Sequence, residues 1–277
     1  MQKLSIFVTT FNNEETLDAC LASAAFADEL VVLDSYSTDR TVDIASHHGA
    51  RFEQQKFQGF GPQKQRALEL TTHEWVLFLD ADEMISPALA AELIRLRDAG
   101  ALGRDDVTGY EFPRVEQLFW RMSADATRKN FYVRLFRRDA ASFTRMPVHA
   151  TVAVNGPIAR IDAPFFHFGE TDIHCKVDKV NGYSTGLVRD KIAHGRRASP
   201  WIMVCYPPLF FLRSYLFKRG FTNGWAGFIA SVVGSFYVFL KYAKLYEQSR
   251  FDQVGDSLMP RGAPALKTPL ERYRNPV

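Results

Sequence analysis

Three carboxylates, Asp80, Asp82 and Glu83, follow directly on the apolar run Trp75–Leu79. Clustered carboxylate oxygens hold hard divalent cations. In open α/β sheets, ligands bind beyond the carboxyl ends of the strands. The plainer reading of the same turn is an acidic loop that caps the next helix, which Ser86-Pro87 opens. Polar groups also follow two earlier apolar runs: Thr9, Thr10, Asn12 and Glu14 after the first, and Asp34 after Leu30–Leu33. Helix capping accounts for Asn12 and Asp39, but Asp34 lies too early for it. Three strand ends bearing hydrogen-bonding and acidic groups point to a nucleotide and a metal. Two histidines have the chemistry of a general base or a phosphate ligand: His149 in Pro147-Val148-His149, and His167 in Phe166-His167-Phe168. The phenylalanines around His167 favour a hydrogen-bonded place in an aromatic cluster, whereas His149 stands in a loop.

These groups need strands to carry them. Leu4–Thr9 reads as a first strand, followed by a helix capped by Asn12 or Asn13, with Leu17, Leu21 and Ala24 on one face. Leu30–Leu33 is a second strand. Ser37 or Thr38 caps a helix over Thr41–His48, and Gly49 ends it. Arg51–Gln54 is a third strand; Gly59-Phe60-Gly61-Pro62 leads to a helix beginning near Gln63; then comes the Trp75 strand. This alternation predicts an α/β fold, a mostly parallel sheet with crossover helices. GxGxxG and GxxxxGK[ST] are absent, which disfavours a standard dinucleotide fold and a P-loop. From Tyr110 onward, Tyr110–Pro113, Phe131–Phe136, Thr151–Val154 and Phe165–Phe168 read as short strands that extend the sheet and wall the crevice.

The last hundred residues are helical. Thr171 caps a polar helix running towards His194, and two aromatic-rich stretches follow, Trp201–Phe217 and Trp225–Leu240. The second falls short of the roughly 20 apolar residues that span a bilayer. Aromatics flanked by Lys218-Arg219, Lys241 and Lys244 suit helices lying in a membrane interface, the alternative being helices buried against the rest. The aromatic content favours the interface, since it would otherwise need a second core. A net charge of +3 is too small to indicate nucleic acid, and none is expected as partner. The basic stretches Arg114–Arg145 and Arg189–Arg219 suit phosphates, anionic lipid or acidic glycans. Cys20, Cys175 and Cys205 lack CxxC spacing, which speaks against a disulfide framework or zinc site. With no signal-peptide pattern at the start, the expectation is a cytoplasmic protein attached to the inner face of the membrane.

Val8-Thr9-Thr10-Phe11-Asn12-Asn13-Glu14-Glu15, Asp34-Ser35-Tyr36-Ser37-Thr38-Asp39-Arg40-Thr41 and Leu79-Asp80-Ala81-Asp82-Glu83 resemble family 2 glycosyltransferases of the GT-A (Rossmann-like) fold. Gly59-Phe60-Gly61-Pro62-Gln63-Lys64, Arg134-Leu135-Phe136-Arg137-Arg138, Pro147-Val148-His149, Arg213-Ser214-Tyr215 and Gly224-Trp225-Ala226-Gly227-Phe228 narrow this to bacterial lipopolysaccharide inner-core β-glucosyltransferases. The resemblance covers the chain to about Glu247. It implies inverting transfer from a nucleoside-diphosphate sugar, most often UDP-glucose, to a hydroxyl of a lipopolysaccharide-core or lipid-linked glycan. By analogy, Thr9, Asn12 and Glu14 line the nucleoside pocket and Asp34 accepts from the base. Gln63 and Lys64 border base and diphosphate, Asp80 meets ribose or metal, and Asp82 ligates Mg²⁺ or Mn²⁺. Two positions depart from the pattern. Tyr36 replaces the usual Gly, and Ala150 replaces the Glu that typically follows Pro-Val-His, leaving His149 or Asp125 to take the acceptor's proton. The implied layout is a nucleotide-sugar-binding half (1–110), an acceptor-side half (111–170), a helical membrane-interface region (171–249) and a loose tail (250–277). A sugar nucleotidyltransferase would show a Gly-rich basic loop after its first strand, which Thr9–Glu15 is not. A non-catalytic scaffold would have no need of Asp80 and Asp82.

Overall fold

The computed structural model describes residues 2–143, 151–196 and 199–254. The chain forms two compact units: Met1–Gln117 with Lys129–Gly169, and Leu118–Arg128 with Glu170–Val277.

In the first unit, β1 (Leu4–Thr10), β2 (Glu29–Asp34), β3 (Arg51–Gln54) and β4 (Trp75–Asp80) are parallel, in the order β3-β2-β1-β4. Helices α1 (Leu17–Ser23), α2 (Thr41–His47) and α3 (Phe60–Leu70) are the crossovers. After β5 (Glu83–Ile85) comes α4 (Pro87–Asp98). The strands read as continuous apolar runs because both faces are covered. Ile6, Val8, Leu77 and Leu79 pack in one core with Leu17, Leu21, Leu89 and Leu93 of α1 and α4. Phe7, Leu33, Val76 and Phe78 pack in the other with Ala67 and Leu68 of α3. Ser86 caps α4 as its sequence predicts, its hydroxyl accepting from Leu89 N at 3.1 Å.

The second half extends the sheet, as expected, but mixes strand directions, and the strand expected over Thr151–Val154 does not join it: Val152–Val154 pairs with Ala141–Phe143 in a separate two-stranded sheet. Its strands are β6 (Gly109–Leu118), β7 (Arg121–Met122, in the second unit), β8 (Phe131–Arg137), β9 (Ala141–Phe143), β10 (Val152–Val154), β11 (Ile158–Arg160) and β12 (Phe165–His167). The order continues β4-β8-β6-β12-β5. β8 runs antiparallel to β4 and β6, while β12 is parallel to β6 and antiparallel to β5.

One helix start and one cap differ from expectation, each because a side chain is used otherwise; α2 begins at Thr41 as expected. Asn13 folds a turn, accepting from Thr16 N and Leu17 N through its carbonyl, so α1 begins only at Leu17. At α2, Asp39 Oδ1 accepts from Thr41 N at 3.0 Å, while Ser37 is bound to Asp34 instead.

The second unit contains α5 (Ile173–Ala193), α6 (Pro200–Leu212) and α7 (Gly224–Val254). Asp172, not Thr171, caps α5, accepting from Cys175 N at 2.7 Å. The apolar stretch expected to end at Leu240 continues as helix, and Gly220–Phe251 is long and apolar enough to cross a membrane by length and composition. A Cβ on Gly227 would lie 1.9 Å from the Gly220 carbonyl oxygen, so only glycine permits this close approach. Gly227→Ala is expected to destabilise the protein by about 1–3 kcal/mol, read as a fall in thermal midpoint. An unchanged midpoint would show that the turn yields freely.

Candidate active site

Parallel register sets the site's floor. Thr9 lies beside Asp80 and Thr10 beside Asp34, so the ends of β1, β2 and β4 meet at one edge. The loops after β1 and β2 are tied together there. Asn12 N donates to Ser37 Oγ at 2.7 Å, and Asn12 Oδ1 accepts from Thr38 N at 2.8 Å. Glu14 N donates to Asp39 Oδ2 at 3.0 Å and Glu14 Oε2 accepts from Arg40 N at 3.2 Å. Asn12 and Glu14 therefore frame the crevice edge, whatever else they touch.

Asp34 is fully buried. Its carboxylate accepts from Ser37 N at 2.8 Å, Ser37 Oγ at 2.5 Å and Gln54 Nε2 at 3.0 Å. This Asx-type turn gives Asp34 a structural role that helix capping did not. Gln63 of α3 reaches the same corner, donating to Ser35 Oγ at 3.1 Å. Tyr36 takes φ +65° in this turn, so the left-handed conformation persists without glycine. Its ring is exposed. Tyr36→Gly is expected to raise stability by up to about 1 kcal/mol through relief of that conformation, measured by urea denaturation. A loss of stability would show that the ring is held in place.

Beyond β4 lies a chain of alternating charges. Lys64 Nζ sits 2.5 Å from Asp80 Oδ1, and Arg134 Nη2 lies 3.5 Å from Asp80 Oδ2. Arg134 also pairs with Glu83, whose side chain is wholly buried. Arg114 lies 3.6 Å from Glu83 and bonds Glu116 at 2.7 Å. Glu116 Oε2 is 2.7 Å from His167 Nδ1, and His167 Nε2 is 3.4 Å from Asp82 Oδ2. Phe78 lies under this series, with Arg134 4.1 Å and Lys64 5.0 Å from its ring centroid. Burial alone would raise the Asp80 carboxyl, but Lys64 and then Arg134 hold it well below the usual range. Behind the turn, burial, then Glu83, Asp82 and Asp80, push the Cys20 thiol up, leaving it unreactive.

His167 is not the aromatic-cluster histidine its neighbours in sequence suggest. β12 lies between β6 and β5, in registers that set His167 opposite Glu116 and opposite Glu83. Directly paired residues share a face of the sheet, so the ring meets carboxylates and not the flanking phenylalanines. Burial would lower its pKa, but the hydrogen bonds its ring N–H groups donate to Asp82 and Glu116 outweigh that and raise it to about 9.

Asp82 and His167 offer one carboxylate and one imidazole on a shared opening, a donor set suited to a divalent cation. Gly169 lets the imidazole pack close beside the acidic turn: a Cβ there would come within 2.5 Å of the His167 ring and 3.3 Å of Asp82 Oδ2. Phe168 N donates to the Asp82 carbonyl at 2.8 Å, fixing the two segments together. Glu116 on the far ring nitrogen orients the imidazole, as outer partners of metal-bound histidines do. Two such donors fit a cation that takes its remaining ligands from a diphosphate and water; among the described residues no group of three or more His, Cys, Asp or Glu is placed to hold one unaided. Thr9, Asn12, Glu14, Asp34, Gln63, Lys64, Asp80 and Asp82 all lie at these strand ends or on α3. His149 and Ala150 lie outside the described residues.

The sequence profile of glycosyl transferase family 2 matches residues 5–150. The chain belongs to that family. A relative from Rhizobium meliloti (strain 1021), the lipopolysaccharide core biosynthesis glycosyltransferase LpsC, is 30% identical over 254 residues, covering 88% of this chain and 92% of its own. An uncharacterized glycosyltransferase of Rickettsia typhi is 29% identical over 263 residues, covering 90% and 88%. Among solved structures, glucosyl-3-phosphoglycerate synthase from Mycobacterium tuberculosis with phosphoglyceric acid is 17% identical, with a TM-score of 0.47 over 72% of this chain and 82% of that one. Staphylococcus aureus TarS 1-349 is 16% identical with a TM-score of 0.42, over 96% and 99%. This family 2 glycosyltransferase has an α/β architecture, a mixed sheet with helices, followed by an apolar C-terminal helix.

Arg114, Arg134, Glu116 and the pairing role of Glu83 were not read from the sequence as site residues. A signal existed: Arg134 interrupts the otherwise apolar centre of β8, where an unpaired charge would be costly.

Proposed function

We propose that the protein is an inverting, divalent-cation-dependent glycosyltransferase. It moves glucose from UDP-glucose to a hydroxyl of a lipopolysaccharide-core or other lipid-linked acceptor, at the cytoplasmic face of the inner membrane. One observation carries the reading: Asp82 and His167 Nε2 face one another at 3.4 Å, with Gly169 packed against the imidazole, at the carboxyl end of the sheet. Asp82 and His167 would hold Mg²⁺ or Mn²⁺, which when bound supplies Lewis-acid neutralisation of the diphosphate leaving group. His167 must release its Nε2 proton to serve as ligand, with Glu116 keeping the ring oriented. Asp80, held ionised by Lys64 and Arg134, is suited to accept a ribose hydroxyl.

In this reading residues 1–110 receive the nucleotide sugar, with Thr9, Asn12, Glu14, Asp34, Gln63 and Lys64 around it. Residues 111–170 face the acceptor, and His149 takes the proton of the attacking hydroxyl, Ala150 leaving no carboxylate next to it. Inversion in one displacement requires such a base. The lipopolysaccharide acceptor is supported by the relative LpsC, whose length the chain spans almost entirely.

Incubation with UDP-[¹⁴C]glucose and a truncated lipopolysaccharide core tests the proposal. A β-linked glucosyl product in Mn²⁺ and none in chelator is expected. Equal turnover in chelator would overturn the cation requirement, and an α-linked product would overturn inversion.

A further inference from the structure

The second unit exposes more apolar surface than a solvated helical bundle needs. On α7, Trp225, Phe228, Val232, Phe236 and Phe239 recur at helical spacing on one face, and all are exposed. On α6, Trp201, Val204, Leu209 and Leu212 are exposed too, and no residue of α6 is buried. The two helices form an antiparallel hairpin. Tyr206 meets Tyr242 at 6.0 Å, Phe210 packs on Gly234, and Phe211 meets Phe228 at 5.8 Å. Its charge is one-sided: from Ser199 to Tyr246 the chain carries Arg213, Lys218, Arg219, Lys241 and Lys244 and no carboxylate. The two most exposed tryptophans, Trp201 at 76% and Trp225 at 75%, stand at opposite ends of the hairpin.

The polar bonds at either end of the α7 apolar window decide how such a hairpin can meet a membrane. At its start, Asn223 Oδ1 accepts from Ala124 N at 2.7 Å and Asn223 Nδ2 donates to Thr127 Oγ1 at 2.9 Å. Towards its end, the buried Lys244 ammonium donates to Asn181 Oδ1, Ser184 Oγ and Thr185 Oγ1 of α5 at 2.7–2.8 Å. Were α7 to span a bilayer, the segment 118–128 and this part of α5 would fall in opposite aqueous phases. Yet they are joined: Phe119 N donates to Glu170 O at 2.9 Å, just before α5 begins. The intervening turns of α5 carry His174 and Asp178, 90% and 71% exposed, which a hydrocarbon core would reject.

We propose that the α6–α7 hairpin lies in the plane of one leaflet of an anionic lipid bilayer, its two apolar stripes at the acyl boundary, and that α7 does not cross. The stripes supply the apolar contact, the tryptophans sit at the headgroup level, and Arg213, Lys218, Arg219 and Lys241 face anionic headgroups. The inference gives the membrane-surface reading above a geometry, and rests on it only in needing a lipid surface.

The test uses the full chain with vesicles of phosphatidylcholine alone or mixed with phosphatidylglycerol. Binding at least about tenfold tighter to the anionic vesicles is expected. No binding to either, or equal binding to both, overturns the docking surface. Depth is read in a Trp201→Phe background by quenching with lipids brominated near the headgroup or near the bilayer centre. Trp225 is compared with Val232→Trp in Trp225→Phe. Both positions should be quenched best by the shallow bromines. Stronger quenching of the Val232→Trp variant by the central bromines would show that α7 crosses, and overturn the in-plane arrangement. UDP-glucose binding measured without vesicles reports on the transferase reading separately.

Discussion

Asp82→Ala is expected to lower metal-stimulated sugar transfer by at least about 10²–10³-fold, the scale of losing a main electrostatic stabiliser of a developing charge. The loss follows from the geometry. Asp82 is the carboxylate of the acidic turn that meets the His167 imidazole, whereas Asp80 is paired with Lys64 and Glu83 is buried against Arg134. The substitution also removes the pair with His167, so the thermal midpoint should fall modestly while circular dichroism still shows the parent fold. Transfer rates in Mn²⁺ and in chelator are the readout: the variant should show the same low rate in both. A variant that keeps full, metal-stimulated turnover would place the cation elsewhere.

Arg134→Met should act on the fold more than on the chemistry. Arg134 is 7% exposed and stands between Asp80 and Glu83, the latter with no exposed side-chain surface. Removing one partner of a buried pair leaves the other uncompensated and costs about 3–5 kcal/mol. Arg134 also lies 4.1 Å from the Phe78 ring centroid, a contact that methionine partly retains. Urea denaturation should therefore show a fall of about this size. Arg134→Met combined with Glu83→Gln should recover part of it, because the stranded charge is gone. A single variant as stable as the parent would mean that the site's charges are carried by solvent and not by one another.

What the sequence made legible follows from the physics of each element. Leu4–Thr10 and Trp75–Asp80 were readable because a strand buried on both faces must be apolar throughout, and both cores bear this out. The strand-end polar residues were readable as candidates because a buried apolar run that breaks into carboxylates marks the open edge of the sheet. The Ser86-Pro87 cap was a local signal and formed as expected. His167 was misread because its surroundings are set by register with β5 and β6, through residues 51 and 84 positions away in sequence. Phe166 and Phe168 say nothing of that pairing. The same holds for Arg134, whose partners come from β4 and β5. The start of α1 was missed by a few residues and the cap of α2 was misassigned, because Asn13 and Ser37, each able to cap, are held by other bonds; α2 itself begins at Thr41 as expected. The extent of α7 was underestimated because Lys241 and Lys244 read as a terminus. In the structure Lys244 is instead bound into α5, and the helix runs on.

The central claim is a cation-dependent nucleotide-sugar site built on Asp82 and His167. Calorimetric titration of the purified full chain with UDP-glucose, in Mn²⁺ and in chelator, tests it most directly. Binding in Mn²⁺ that is lost in chelator and lost in Asp82→Ala is expected. Binding of equal strength in all three conditions, or no binding of UDP-glucose in Mn²⁺, would contradict it.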